Sequence, residues 1–178
     1  KILKKICNVK KFKITTIGKK NSDLNINRIS YFKDLQVVEF DYKKKKYSIN
    51  LKLVGKLQVK NILMACLAAE CSGVKFYKII SNIHKIKPVE GRMEQIKRIK
   101  NGSKVILDFA HTPDALKSSL ENLKEQYPLN NLNIVFGCGG NRDKAKRPLM
   151  GKIANKYCQK IYLTDDNPRD ENPKKIRS

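Results

Sequence analysis

The sequence predicts an α/β fold built as two successive units, and three observations carry that expectation. Short runs of alternating apolar and polar residues fill the chain to about Leu53, helical spacing takes over between Leu57 and Lys87, and a strand–helix–strand–helix–strand alternation follows Pro88. Period-two alternation marks half-buried strands, i, i+3, i+4 spacing marks helices, and strands interleaved with helices favour a parallel sheet with helices packed on it. Forty per cent apolar residues in a chain of 178 supply a core, and 31% charged residues do not by themselves imply disorder.

In order, "KFKITTIG" alternates like a strand ending at Gly18, and "VVEFDY" and "KYSINLKL" continue a small antiparallel meander. The lysine block Lys43–Lys46 falls where a turn between two strands is expected. "LQVKNILMACLAAECSG" then reads as a helix stopped by Gly73, and "KFYKIISNIHKIKP" as a second one ending before Pro88. A unit boundary is expected near Val89 to Gly91, dividing the chain into residues 1–89 and 90–178. Beyond it come strand "KVILDFA", a helix from about Pro113 to Gln126, strand "NLNIVFG", a helix from about Arg147 to Tyr157, and strand "KIYLT".

A formal charge of +23 invites a nucleic-acid or anionic-membrane reading. Lysine outnumbers arginine 32 to 7 and is spread along the chain, so it reads as background rather than as a binding face. Zinc-finger spacing, an RRM signature and a basic helix with interleaved aromatics are all lacking, so nucleic acid is not an expected partner. The longest apolar run, "ILMACLAA", is far below the ~20 residues that span a bilayer, and no cleavable signal pattern opens the chain, so no membrane partner is expected either. Five cysteines, odd in number and without a CxxC pair, indicate neither a disulfide framework nor a zinc site and fit a reducing cytoplasm. Lys rather than Met at position 1 raises the expectation of a fragment.

Ligands of an open parallel sheet collect at the carboxyl ends of its strands. Three segments fall there: "DFAHTPD" (108–114), "GCGGNRDKAKRP" (137–148) and "TDDNPRD" (164–170). In the first, Thr112 or a neighbour can cap the helix and Pro113 suits its first turn. Capping does not explain Asp108, which suits ribose hydroxyls, or His111, which can stack or donate to phosphate. The second segment either lets backbone amides approach an anion or is a tight turn before a solvated basic helix. Neither GxxxxGK[ST] nor GxGxxG occurs anywhere in the chain. In the third, Pro168 restricts Asn167 to extended geometry. The Asn167 amide and Arg169 guanidinium then offer donors to a carboxylate, and the neighbouring acids can take an ammonium group, unless the segment is a plain turn. A fourth segment, "GRMEQ", puts Arg92 at the boundary, able to reach nucleotide phosphates or to pair with Glu94.

Taken in order, "GKLQVKNILMACLAA", "PVEGRMEQI", "DFAHTPDAL", "VFGCGGNRDKAKRPLMGKIA" and "TDDNPRDENP" resemble the Mur ligases over nearly the whole chain, most weakly in residues 1–50. The resemblance implies the C-terminal part of a central ATP-binding domain (1–89), then the beginning of a Rossmann-like, mostly parallel ligand-binding domain (90–178), both truncated. It implies a cytoplasmic, monomeric ligase of peptidoglycan precursor synthesis that uses ATP and Mg2+. Such enzymes phosphorylate the D-glutamate carboxylate of UDP-N-acetylmuramoyl-L-alanyl-D-glutamate, and an incoming amine attacks the acyl phosphate. The DNPR form is similar to that of members adding meso-diaminopimelate. By that likeness Asp166, Asn167, Pro168 and Arg169 recognise this amino acid, with Arg142 as a second grip and both guanidinium groups facing one pocket. Asn61 would contact adenine, Arg92 phosphate or ribose, and Asp108 ribose, with His111 nearby.

Gln58 stands where the family often has Asn, and Asn141 replaces the usual Asp before Arg142. The family's uridine-binding domain, P-loop and carbamylated lysine would lie upstream of Lys1, and the distal part of its last domain beyond Ser178. The alternatives are a folylpolyglutamate synthetase-like amide ligase, disfavoured by DNPR and GCGG, and a basic nucleic-acid-binding α/β protein.

Overall fold

The computed structural model describes residues 2–32 and 34–178, and its backbone divides into two compact units, one ending at Pro88 and one starting at Val89. The first unit holds helix α1 (Ile2–Val9), strands β1 (Ile17–Gly18), β2 (Leu24–Phe32), β3 (Leu35–Tyr42) and β4 (Lys45–Leu51), and helices α2 (Lys56–Cys71) and α3 (Phe76–Asn82). The strands form one sheet in the order β1-β2-β3-β4, antiparallel except for the parallel β1–β2 pair.

Alternation sets this unit's core. Along β3, Gln36, Val38, Phe40 and Tyr42 are buried while intervening residues are not. On α2 the buried positions are Val59, Ile62, Leu63, Cys66 and Leu67, one stripe at i, i+3, i+4, i+7, i+8 laid on the sheet. Each large apolar side chain buried there contributes about 1.5–3 kcal/mol. Gly73, at φ +96°, follows the end of α2 in a conformation that costs any L side chain energy. Phe76 anchors α3 against Tyr42 and Tyr47, at ring separations of 4.7 and 5.3 Å.

The β3–β4 connection is a two-residue turn in which Lys43 and Lys44 both take positive φ, 48° and 61°, the conformation that matches strand twist in a tight hairpin. Tyr42 Oη and Lys43 Nζ both donate to Glu70, at 2.5 and 2.7 Å, and so tie the hairpin to α2. The strand expected over residues 11–18 is shorter than its alternation implies, since only Ile17 and Gly18 enter the sheet. The Thr16 N–H and hydroxyl both donate to the Asp23 carboxylate (2.7 and 2.8 Å), which takes the donor a longer strand would have used. Helix α1 was not anticipated.

In the second unit, strands β5 (Glu94–Arg98) and β6 (Lys104–Leu107) pair antiparallel, while β7 (Asn133–Phe136) and β8 (Lys160–Leu163) pair parallel. Helices α4 (Pro113–Gln126), α5 (Lys146–Tyr157) and the short α6 (Pro173–Arg177) complete it. The alternation read from the sequence is present. Strand β5, not anticipated, gives β6 an antiparallel partner. Leu116 and Leu120 of α4 and Met150 of α5 are buried with Cys138, and Ile134 and Phe136 pack against them. Because Asn133 is paired with Lys160 and Phe136 with Leu163, β7 and β8 end level with each other. The segments that begin at Gly137 and Thr164 therefore leave the sheet side by side.

Candidate functional site

Glycine decides how closely those two segments approach. A Cβ on Gly140 would overlap the Pro168 carbonyl, and one on Gly139 would stand 3.0 Å from the Arg169 guanidinium. With no side chains in the way, the Gly140 N–H donates to the Asn167 carbonyl (2.8 Å) and Arg169 Nη1 donates back to the Gly140 carbonyl (2.7 Å). The glycines thus admit a neighbouring backbone, the role an anion would otherwise have had. Asn167 Oδ1 accepts from the Arg169 N–H at 3.2 Å, and Asp166 Oδ1 from the Asn167 N–H at 2.8 Å, so the DNPR side chains also shape their own turn.

Below the exposed residues lies a charged cluster that sequence reasoning missed. Glu171 accepts from Arg147 at both oxygens (2.9 and 3.0 Å) and from the Asn141 N–H (2.6 Å), with Lys144 Nζ 3.6 Å away. The Asn141 amide donates to Asp170 at 2.7 Å. The bidentate Arg147 fork, then the Asn141 N–H, hold the Glu171 carboxyl down at about 2, and the same pair raises Arg147. The one available signal was scarcity: seven arginines, and 16 acids against 39 basic residues.

The first strand-end segment joins the other two. Lys146, the first residue of α5, donates to the His111 carbonyl at 2.8 Å. Thr112 caps α4 by accepting from the Ala115 N–H (3.3 Å), with Pro113 opening the helix as expected. Arg92 lies 5.1 Å from the centroid of Phe109, which is 63% exposed, and the His111 ring meets the same aromatic edge-on at 5.3 Å. His111 Nδ1 lies 3.0 Å from the Phe109 carbonyl; a carbonyl can only accept, so Nδ1 is the donor in this contact and Nε2 is left for another partner. Asp108 is the departure from expectation. Its two oxygens take the Met93 N–H (3.1 Å) and the Ser119 hydroxyl, so it first anchors β6 to α4 and the boundary segment.

Of the residues singled out from sequence, Arg92 and His111 are thus gathered on Phe109, Asp108 is instead tied to Met93 and Ser119, and Asp166, Asn167, Pro168 and Arg169 lie on the loop locked against Gly139 and Gly140. Arg142 is exposed on the first loop, and Asn61 is exposed on α2 in the other unit. A cavity of about 480 Å³ behind the loops is lined by Phe136, Cys138, Arg147, Leu163 and Ile176 among others, and neither Arg142 nor Arg169 lines it. Burial pushes the Cys138 thiol up, and with Met150 Sδ at 3.9 Å it is a core residue rather than a nucleophile. Among the described residues no three His, Cys, Asp or Glu side chains are grouped as a metal centre.

Comparison with known families assigns both units. Residues 1–69 match the Mur ligase middle domain, and residues 91–178 match the Mur ligase glutamate ligase domain. The chain belongs to the Mur ligase family. Among the Mur ligases it resembles is the UDP-N-acetylmuramoyl-L-alanyl-D-glutamate--2,6-diaminopimelate ligase of Rickettsia montanensis, 43% identical over 167 residues, which are 93% of this chain and 34% of that protein. A solved structure of a ligase with the same name is 32% identical with a TM-score of 0.65, over 98% of this chain and 36% of that one. A folylpolyglutamate synthetase structure in complex with AMPPCP and folate superposes with a TM-score of 0.71 at 15% identity, over 91% of this chain and 38% of that one, a likeness of fold alone. The chain spans about a third of the length of the curated relatives it matches.

Proposed function

We propose that these residues are part of an ATP- and Mg2+-dependent ligase that adds meso-diaminopimelate to UDP-N-acetylmuramoyl-L-alanyl-D-glutamate in peptidoglycan precursor synthesis. In this reading residues 1–89 are the C-terminal part of a central ATP-binding domain and residues 90–178 the start of the domain that receives the amino acid. The enzyme is a cytoplasmic monomer whose partners are these small molecules. The observation that carries the proposal is the interlock of the GCGGNR and DDNPR segments through Arg169 and Gly140. It holds Asn167, Arg169 and Arg142 on two adjoining exposed loops, where a guanidinium can grip a carboxylate at two points.

Bound ATP with Mg2+ supplies the phosphoryl group that activates the acceptor carboxylate. Arg92, beside Phe109, suits phosphate and ribose oxygens, His111 Nε2 can take a ribose hydroxyl, and Asp108 keeps lone pairs for such a hydroxyl beyond its two structural bonds. Asn61, exposed on α2 of the first unit, is by the family likeness an adenine contact. Mg2+ at such a site would be bound largely by phosphates, water and one or two carboxylates. Fixed cations at such a site act by stabilising charge on transferring oxygens.

The test is a ligation assay on the full-length polypeptide carrying these residues, comparing meso-diaminopimelate with L-lysine and wild type with Arg169→Lys. Preference for meso-diaminopimelate is expected, along with a larger loss of amino-acid affinity than of ATP affinity in the variant, because lysine lacks the planar fork. Equal use of lysine, or equal losses for both ligands, would overturn the proposal.

A further inference from the structure

The exposed residues that would meet an amino acid rest on a pair that is largely hidden. Arg147 and Glu171 are 12% and 16% exposed, whereas Arg142, Asn167 and Arg169 are open to solvent. Arg147 sits in the first turn of α5, a helix fixed in the core by Met150 and Ala154. Glu171 sits two residues after Arg169, and its N–H closes a turn onto the Pro168 carbonyl at 3.0 Å. Within that turn Arg169 holds φ at +49°, a left-handed conformation that few residues with a Cβ adopt.

We infer that Glu171 is a positioning residue for Arg169, fixing the turn that presents the guanidinium by anchoring its last residue to Arg147 on α5 and to the Asn141 N–H on the facing loop. Besides the contacts of Glu171 itself, which include Lys144 at 3.6 Å, the described residues link the loops through the Gly140–Asn167 and Arg169–Gly140 bonds and the exposed Asn141–Asp170 contact. None of these ties the turn to a helix; Arg147–Glu171 does. One carboxylate gathers the Asn141 amide and both ends of a guanidinium, so neutralising it loosens both loops together. This role rests on the amino-acid-site reading above, because it assigns Arg169 a ligand to be positioned for.

The experiment uses Glu171→Gln, nearly isosteric, in the full-length ligase, with two readouts. Amide hydrogen exchange at Gly140 and Asn141 is expected to quicken at least ~10-fold while core amides such as those of Met150 and Ala154 stay unchanged, as for a local opening. The KM for meso-diaminopimelate is expected to rise about 10-fold or more with the ATP KM held within about 2-fold, the signature of a misplaced binding group rather than a damaged fold. Unchanged exchange at the two amides, an unchanged amino-acid KM, or an equal rise in both KM values would each overturn the inference. Arg147→Lys, which keeps the charge but loses the fork, should give the same selectivity at smaller size; a null result there, should Glu171→Gln fail to fold, is equally fatal. If the wild type proves indifferent to meso-diaminopimelate while exchange at the two amides still responds, the proposed function falls and the loop latch alone stands.

Discussion

At the scale of single residues, the Glu171 carboxylate makes its part of the structure sensitive to acid. It titrates at about 2 in the folded chain against 4.5 for an ordinary glutamate, because Arg147 and the Asn141 N–H both favour the charged form. A depressed carboxyl stabilises the fold above the unfolded value and loses that contribution as pH falls through the folded one. The difference in urea midpoint between wild type and Glu171→Gln should therefore be constant from neutrality to about pH 4.5 and shrink between 4.5 and 2. A constant difference down to pH 2 would contradict the pairing. Residue roles were the least legible layer of the sequence. Asp108 was visible as an acid at a strand end, but its partners Met93 and Ser119 stand 15 and 11 residues away and no local pattern announces them. Glu171 was passed over for the same reason, since Arg147 reaches it from 24 positions earlier.

Elements whose ends are set by neighbouring residues were legible, and those set by tertiary pairing were not. Helix α4 begins where expected because Thr112 and Pro113 act within one turn. Strand β5 escaped notice because "EQIKR" has a single apolar residue and exists as a strand through its pairing with β6. Glycine shows the same division. In Gly140→Ala the added methyl collides with the Pro168 backbone and should destabilise by roughly 1–3 kcal/mol, as overpacking does. In Gly151→Ala, inside α5 with nothing within 4 Å of the new methyl, a gain of roughly 0.8–1 kcal/mol is expected from helix propensity. Urea unfolding of the two variants checks both signs, and a neutral Gly140→Ala would mean that the loops need not approach so closely.

For the molecule as a whole, each unit carries its own core, one around Phe40, Leu63 and Val59 and the other around Met150 and Leu116. Class and succession of elements were readable because they follow from periodicity, while the joining of strand-end segments was readable only as an expectation of the parallel sheet. No helix among the described residues is long and apolar enough to cross a membrane. The positive charge is dispersed along both units in the sequence, as background lysine would be.

Strands β7 and β8 finish at the same level, and their outgoing segments are stitched rung by rung from Gly140–Asn167 to Asn141–Glu171. Two such segments behave like facing halves of a zip fastener. A one-residue deletion between Gly137 and Asn141 would shift every tooth on that side, and only a matching deletion between Thr164 and Glu171 could restore the mesh. Length changes in the two stretches are therefore tolerable in tandem, and either stretch transplanted without its mate into another scaffold would arrive without its shape.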